Sequence, residues 1–133
     1  MNVRSRPVRS ALIVGCAAGA GLLFLTFGVM CVAIGGGVAG VLERARDNYS
    51  GDDTDALIAM MNAGDIPLKD RNRAVWALGQ SGDQRATVHL EKLLTGGPCD
   101  HASAVCQYEL KKALRQCRGG INITRWAWRP FVL

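Results

Sequence analysis

The chain is poor in the residues that chemistry usually needs. It has two histidines, His89 and His101, among 133 residues, and no two of its five cysteines form a C-x-x-C pair. That removes the usual zinc-site spacing. There is no glycine-rich phosphate loop, and no nucleophile–His–acid set stands out. The sequence therefore predicts no catalytic residue, no metal site and no cofactor, and the protein is read as a non-enzyme.

Charge is missing in two places. No charged residue occurs from Ala11 to Leu42. No acid follows Glu109, after which come Lys111, Lys112, Arg115, Arg118, Arg125 and Arg129. Between Glu43 and Asp70 acids outnumber bases by seven to three. The net charge of +5 thus sits toward the ends of the chain, which bears on partners rather than on fold.

The uncharged block is long enough to cross a membrane, since a helix needs about 20 apolar residues to span the hydrocarbon core. Its centre is "ALIVGCAAGAGLLFLTFGVMCVAI", Ala11 to Ile34, followed by a Gly-rich exit expected to fray. A cleaved signal peptide is the alternative. Arg4, Arg6 and Arg9 suit its basic start, and Val38-Ala39-Gly40 suits its cleavage site. Its apolar region normally runs only about 7–15 residues, so a retained signal anchor is expected. The basic flank before the block outweighs Arg44 and Arg46 after it. That bias predicts a single-pass protein of the plasma (inner) membrane, N-terminus cytoplasmic and domain extracytoplasmic. Gly15 and Gly19 form a G-x-x-x-G, which lets two helices approach and allows a homodimer through the span; simple flexibility is the other reading.

Five regions follow: a basic flank 1–10, the span and its exit 11–42, a linker 43–53, a helical domain 54–118 and a tail 119–133. Thr54 or Asp53 is the expected N-cap of the first domain helix. "DALIAMMNAG" carries Leu57, Met60 and Met61 on one face, and "RNRAVWALGQ" carries Ala74, Ala77 and Leu78. Asp83 is expected to cap a third helix with Ala86, Leu90, Leu93 and Leu94 inward. A fourth is expected from about Ala102 to Cys117, its inward stripe being Cys106, Leu110, Ala113, Leu114 and Cys117.

The stretch from Arg71 to Leu94 resembles one HEAT-like helical repeat of the short bacterial type. Arg71, Ala74, Ala77-Leu78-Gly79, Gly82-Asp83, Ala86, Leu90 and Leu94 fall at that family's offsets. Flanking segments resemble two half-repeats. The following one departs from the pattern, with Gln107 and Leu110 where Arg and Ala belong. The resemblance implies an all-α fold: a single N-terminal transmembrane helix followed by a short HEAT-like α-hairpin repeat domain. Stacked repeats are stable only through their neighbours, and about three are usually needed. So small a stack requires a cap, a crosslink or a partner. Relatives in this family include bilin lyases and an iron-dependent hydroxylase. The hydroxylase type uses repeated His-Glu pairs, and this chain has no His-Glu dipeptide.

Cys16 and Cys31 lie in the span. Cys106 and Cys117 are about three turns apart on one helix and cannot bond to each other. Cys99 precedes that helix, so a Cys99–Cys106 disulfide is expected in an oxidising compartment; three free thiols are the alternative. The tail "INITRWAWRPFVL" has a period near two and is expected to be extended. It reads as a cap over the apolar end beside Leu110 and Leu114, shielding Trp126 and Trp128. Otherwise it is a docking peptide or an interfacial anchor. Asn122-Ile123-Thr124 is a glycosylation sequon, with meaning only in a eukaryotic secretory setting.

The function expected is a membrane-anchored protein-interaction or scaffolding module. Its binding residues would be Lys111, Lys112, Arg115, Arg118, Trp126 and Trp128, and its partner an acidic protein or another membrane protein, with possible anionic-lipid contact. Nucleic acid is a poor partner for an extracytoplasmic domain. The alternatives are a small membrane-complex subunit acting through its span, and a HEAT-like lyase-type enzyme.

Overall fold

The computed structural model describes residues 6–100 and 102–132, with side chains for 11–100 and 102–130. Arg4, His101 and the side chains of Arg6, Arg9 and Phe131 fall outside the described residues. Among the described residues the chain forms six helices and no strand.

The first helix, α1 (Arg6–Asn48), has 43 residues and, at about 1.5 Å per residue, is roughly 65 Å long. It is the one described helix long and apolar enough to cross a membrane. It has two parts. Leu12, Leu22, Leu23, Phe24, Leu25, Val29 and Val32 are exposed, as lipid-facing residues would be. Further on, Cys31, Gly35, Val38, Leu42 and Ala45 are buried, at the heptad-like spacing i, i+4, i+7, i+11, i+14. The glycine run expected to fray is therefore helical. It also packs, because the indole of Trp76 lies close enough to Gly37 that a Cβ there would be 3.0 Å away. The expected linker 43–53 is helix as far as Asn48. The reason is tertiary: Val38, Leu42 and Ala45 belong to the domain core, so the helix has no cause to end where the apolar block does.

Five short helices follow: α2 (Asp53–Asn62), α3 (Leu68–Ser81), α4 (Ala86–Leu93), α5 (Gln107–Cys117) and α6 (Ile123–Val132). Asp52, not Asp53 or Thr54, caps α2, its carboxylate accepting from the N–H groups of Thr54 and Asp55. α3 is central and packs on α2, α5 and α1, while α4 packs on α5. Leu57, Met60, Met61, Val75, Leu78, Leu90 and Leu110 are almost wholly buried between them. α3 ends at Gly82, in the left-handed region at φ 62°, where only glycine is unstrained. Gly79 lets α5 come close: a Cβ there would lie 2.8 Å from the Ala113 Cα.

Two expectations are corrected. The fourth domain helix begins at Gln107 rather than near Ala102, because the Asp100 carboxylate accepts from Ala102 N–H and holds a local turn. The tail is helical, not extended. Asn122 caps α6, its side-chain carbonyl accepting from Arg125 N–H at 3.2 Å. α6 packs along α1 and lightly on α3 and makes no substantial contact with α5.

Candidate functional site

The structure distributes charge into two faces. In the first, several acids pair with arginines of the domain. Asp52 and Asp83 both meet Arg85, whose Nη1 reaches Asp52 Oδ2 at 2.7 Å and whose Nη2 reaches Asp83 Oδ2 at 2.8 Å. Thr54 Oγ1 donates to Asp83 at 2.8 Å, which ties the start of α2 to the corner between α3 and α4. Arg46 pairs with Asp53 through two hydrogen bonds of 2.6 and 2.7 Å, and Arg44 pairs with Asp70 at 2.8 Å. This network was not read from the sequence. Its signal was Arg85, two residues beyond Asp83, where an Asp-turn presents the guanidinium back to the carboxylate.

The Arg85 hydrogen bond holds the Asp83 carboxyl at about 2, well below its ordinary value, with Arg85 and Thr54 outweighing partial desolvation. Because the folded value is depressed, the stabilisation is present above the unfolded carboxylate's value, near 4. It is lost as the pH falls from there through about 2. Allowing for solvent screening, the amount is on the order of 1 kcal/mol. Urea titrations across that range should show the loss in wild type and a smaller one in Asp83→Asn. Equal losses in both would detach Asp83 from the acid response.

The second face is basic and lies on α5. Lys111 and Arg115 are exposed one turn apart, and Lys112 is half-buried beside them. Arg118 is exposed but pairs with Glu91 of α4. Lys111 and Arg115 make no ion pair among the described residues. α5 packs on α3 and α4 and makes no substantial contact with α1.

The two tail tryptophans part company. Trp128 is 3% exposed and joins the core with Val38 and Leu42, so it is not available as a binding residue and is corrected to a core residue. Trp126 is 84% exposed, with Ile121 and Ile123 also outward. Sequence reasoning had grouped both tryptophans on one extended strand; the helical turn separates them.

Cys99 and Cys106 come together, with their sulfurs 3.1 Å apart as free thiols. Cys117 is far from both in role: its thiol donates to Leu78 O, and burial pushes its pKa up to about 11. Gly15 and Gly19 meet no neighbour, a Cβ at either finding nothing within 4 Å. His89 is half-buried on α4. Among the described residues no three His, Cys, Asp or Glu side chains converge as metal ligands. An open groove between α3 and α5 is lined by Leu68, Lys69, Asn72, Arg73, Trp76 and Glu109. No family model, curated protein or solved structure matches the chain.

Proposed function

We propose that the protein is a membrane-anchored interaction module whose α5 face binds an acidic protein partner. The observation that carries this reading is the contrast in charge satisfaction. Arg44, Arg46, Arg85 and Arg118 are all paired within the domain, whereas Lys111 and Arg115 are two exposed cations one turn apart with no ion pair among the described residues; Lys69, Lys92 and Arg129 are also exposed and unpaired there, one each on α3, α4 and α6. A protein partner is favoured over the chain's own bilayer because α5 packs on α3 and α4 and makes no substantial contact with α1. α1 serves as the single-pass anchor, with the N-terminus cytoplasmic and the domain outside, on the charge bias of its flanks.

The reading includes a HEAT-like unit made of α3 and α4, with α2 and α5 as the flanking halves. Its support is the pairing of α3 with α5 and of α2 with α4, as successive first and second helices of a stack would pair. The departure is that α3 and α4 make little direct contact; both lean on α5 instead. A second reading, a subunit acting through its span, is favoured by the open faces of Gly15 and Gly19.

A photo-crosslinking residue placed at Lys112 in native membranes tests the proposal, with one at the exposed Asp65 as control. Adducts are expected from the α5 position only. They should weaken with added salt and disappear in the Lys111→Glu/Arg115→Glu double variant. Adducts that survive charge reversal, or that form equally at Asp65, would contradict the acidic-partner reading.

A further inference from the structure

The loop between α4 and α5 carries a second chemistry. Cys99 is exposed in that loop; Cys106 is 7% exposed at the N-cap of α5. Their sulfurs are 3.1 Å apart. The Tyr108 backbone N–H donates to the Cys99 sulfur at 3.2 Å, so this thiol sits on the free N–H groups at the start of the helix. Both ends of the loop are fixed from behind. Asn72 Oδ1 accepts from Cys106 N–H at 2.8 Å, and the Gln107 side chain accepts from Thr95 N–H while donating to Leu93 O. The pair is thus asymmetric: one thiol open to solvent, its partner shielded and held against it.

We propose that Cys99 and Cys106 form a redox-active dithiol that exchanges with an external disulfide, Cys99 being the thiol that makes the first bond. The Cys99 thiolate attacks one sulfur of the incoming disulfide. A Cys99–S bond forms, the external S–S bond breaks, and the departing thiolate takes a proton from water. Cys106 then loses its proton and attacks the Cys99 sulfur. The Cys99–Cys106 bond forms, and the second external sulfur leaves and is protonated. The dithiol is oxidised by two electrons and the external disulfide reduced to two thiols.

Several features favour this order of events. The contact from Cys106, then the Tyr108 N–H, lowers the Cys99 pKa, with Lys111 adding to the effect from the next turn. A thiol with more thiolate character and open access reacts first. Cys106 is shielded from an external disulfide but already lies against the only sulfur it must attack. A purely structural bridge would not require an exposed member stabilised as a thiolate.

Glutathione disulfide is the probe, applied to the full chain in detergent micelles and read by mass spectrometry of peptides. Wild type is expected to lose the Cys99 and Cys106 thiols together and retain no glutathionyl group. Cys106→Ser, a change that also suits an N-cap, is expected to hold one glutathionyl group on Cys99; Cys99→Ser should take none on Cys106. On unmutated protein, iodoacetamide should alkylate Cys99 about tenfold or more faster than Cys106 and Cys117. This arm does not depend on any variant folding. In native membranes the Cys106→Ser trap separates the sources: a reductant-sensitive high-mass band means a protein disulfide, a glutathionyl adduct a small one. No adduct of either kind on Cys99, or equal alkylation of Cys99 and Cys106, would overturn the proposal. The crosslinking test at α5 reads charge, so failure of one proposal leaves the other standing.

Discussion

Trp128→Ala is expected to destabilise the protein by about 3–5 kcal/mol. Trp128 is the tail's one described fully buried aromatic, and it joins α6 to the core residues of α1. Small domains have a total stability of about 5–15 kcal/mol, so this single truncation removes a large share of it. Trp126→Ala, by contrast, changes an 84% exposed side chain and should stay within about 0.5 kcal/mol. Chemical denaturation in micelles, followed by circular dichroism, distinguishes the two. The indole Nε1–H of Trp128 is buried without a hydrogen-bond partner. Trp128→Phe keeps most of the apolar bulk and removes that unpaired donor, so it should cost much less than the alanine variant. Acrylamide should quench Trp126 freely and Trp128 poorly. Equal costs for the two alanine variants, or equal quenching, would contradict the helical tail with one inward face.

Leu42→Ala is the second large effect, at about 2–5 kcal/mol. Leu42 is 1% exposed and lies where the apolar block gives way to charged residues. In a protein whose domain merely hangs from an anchor, a residue at that point would be linker and its truncation would cost almost nothing. Here it fills the core between α1 and the short helices, so its loss should lower the denaturation midpoint of the whole domain. A change below about 0.5 kcal/mol would return the segment to linker status.

The all-helical character and the single apolar helix were legible because they rest on period and length. Leu57, Met60 and Met61 on α2, and Leu110, Ala113, Leu114 and Cys117 on α5, are buried as their spacing required. What could not be read was set by contacts distant in sequence. Val38 and Leu42 look like the end of a span, and Ala45 like linker, until α2 and α6 are placed on them. The tail's alternation of Ile121, Ile123, Trp126 and Trp128 imitates a strand, but the Asn122 cap and the packing on α1 decide for a helix. Asn122 was conspicuous as part of a sequon; its position three residues before Arg125 was the signal for the cap. Of the site, the nearness of Cys99 to Cys106 was legible from a loop that can fold back on the helix start, although Cys106 is the N-cap of α5 and not inside a helix from Ala102. The asymmetry between them was not, because it depends on Asn72 and Gln107 holding the loop from the far side.

The central claim is that the long apolar segment and the domain share one continuous helix. Hydrogen exchange of the full-length protein in nanodiscs, resolved to the amides of residues 38–48, tests it most directly. The account predicts that these amides are protected to the level of the α3 core around Leu78, and that Leu42→Ala lowers both together. Exchange of residues 38–48 at the rate of an unstructured linker, with α3 still protected, would contradict it.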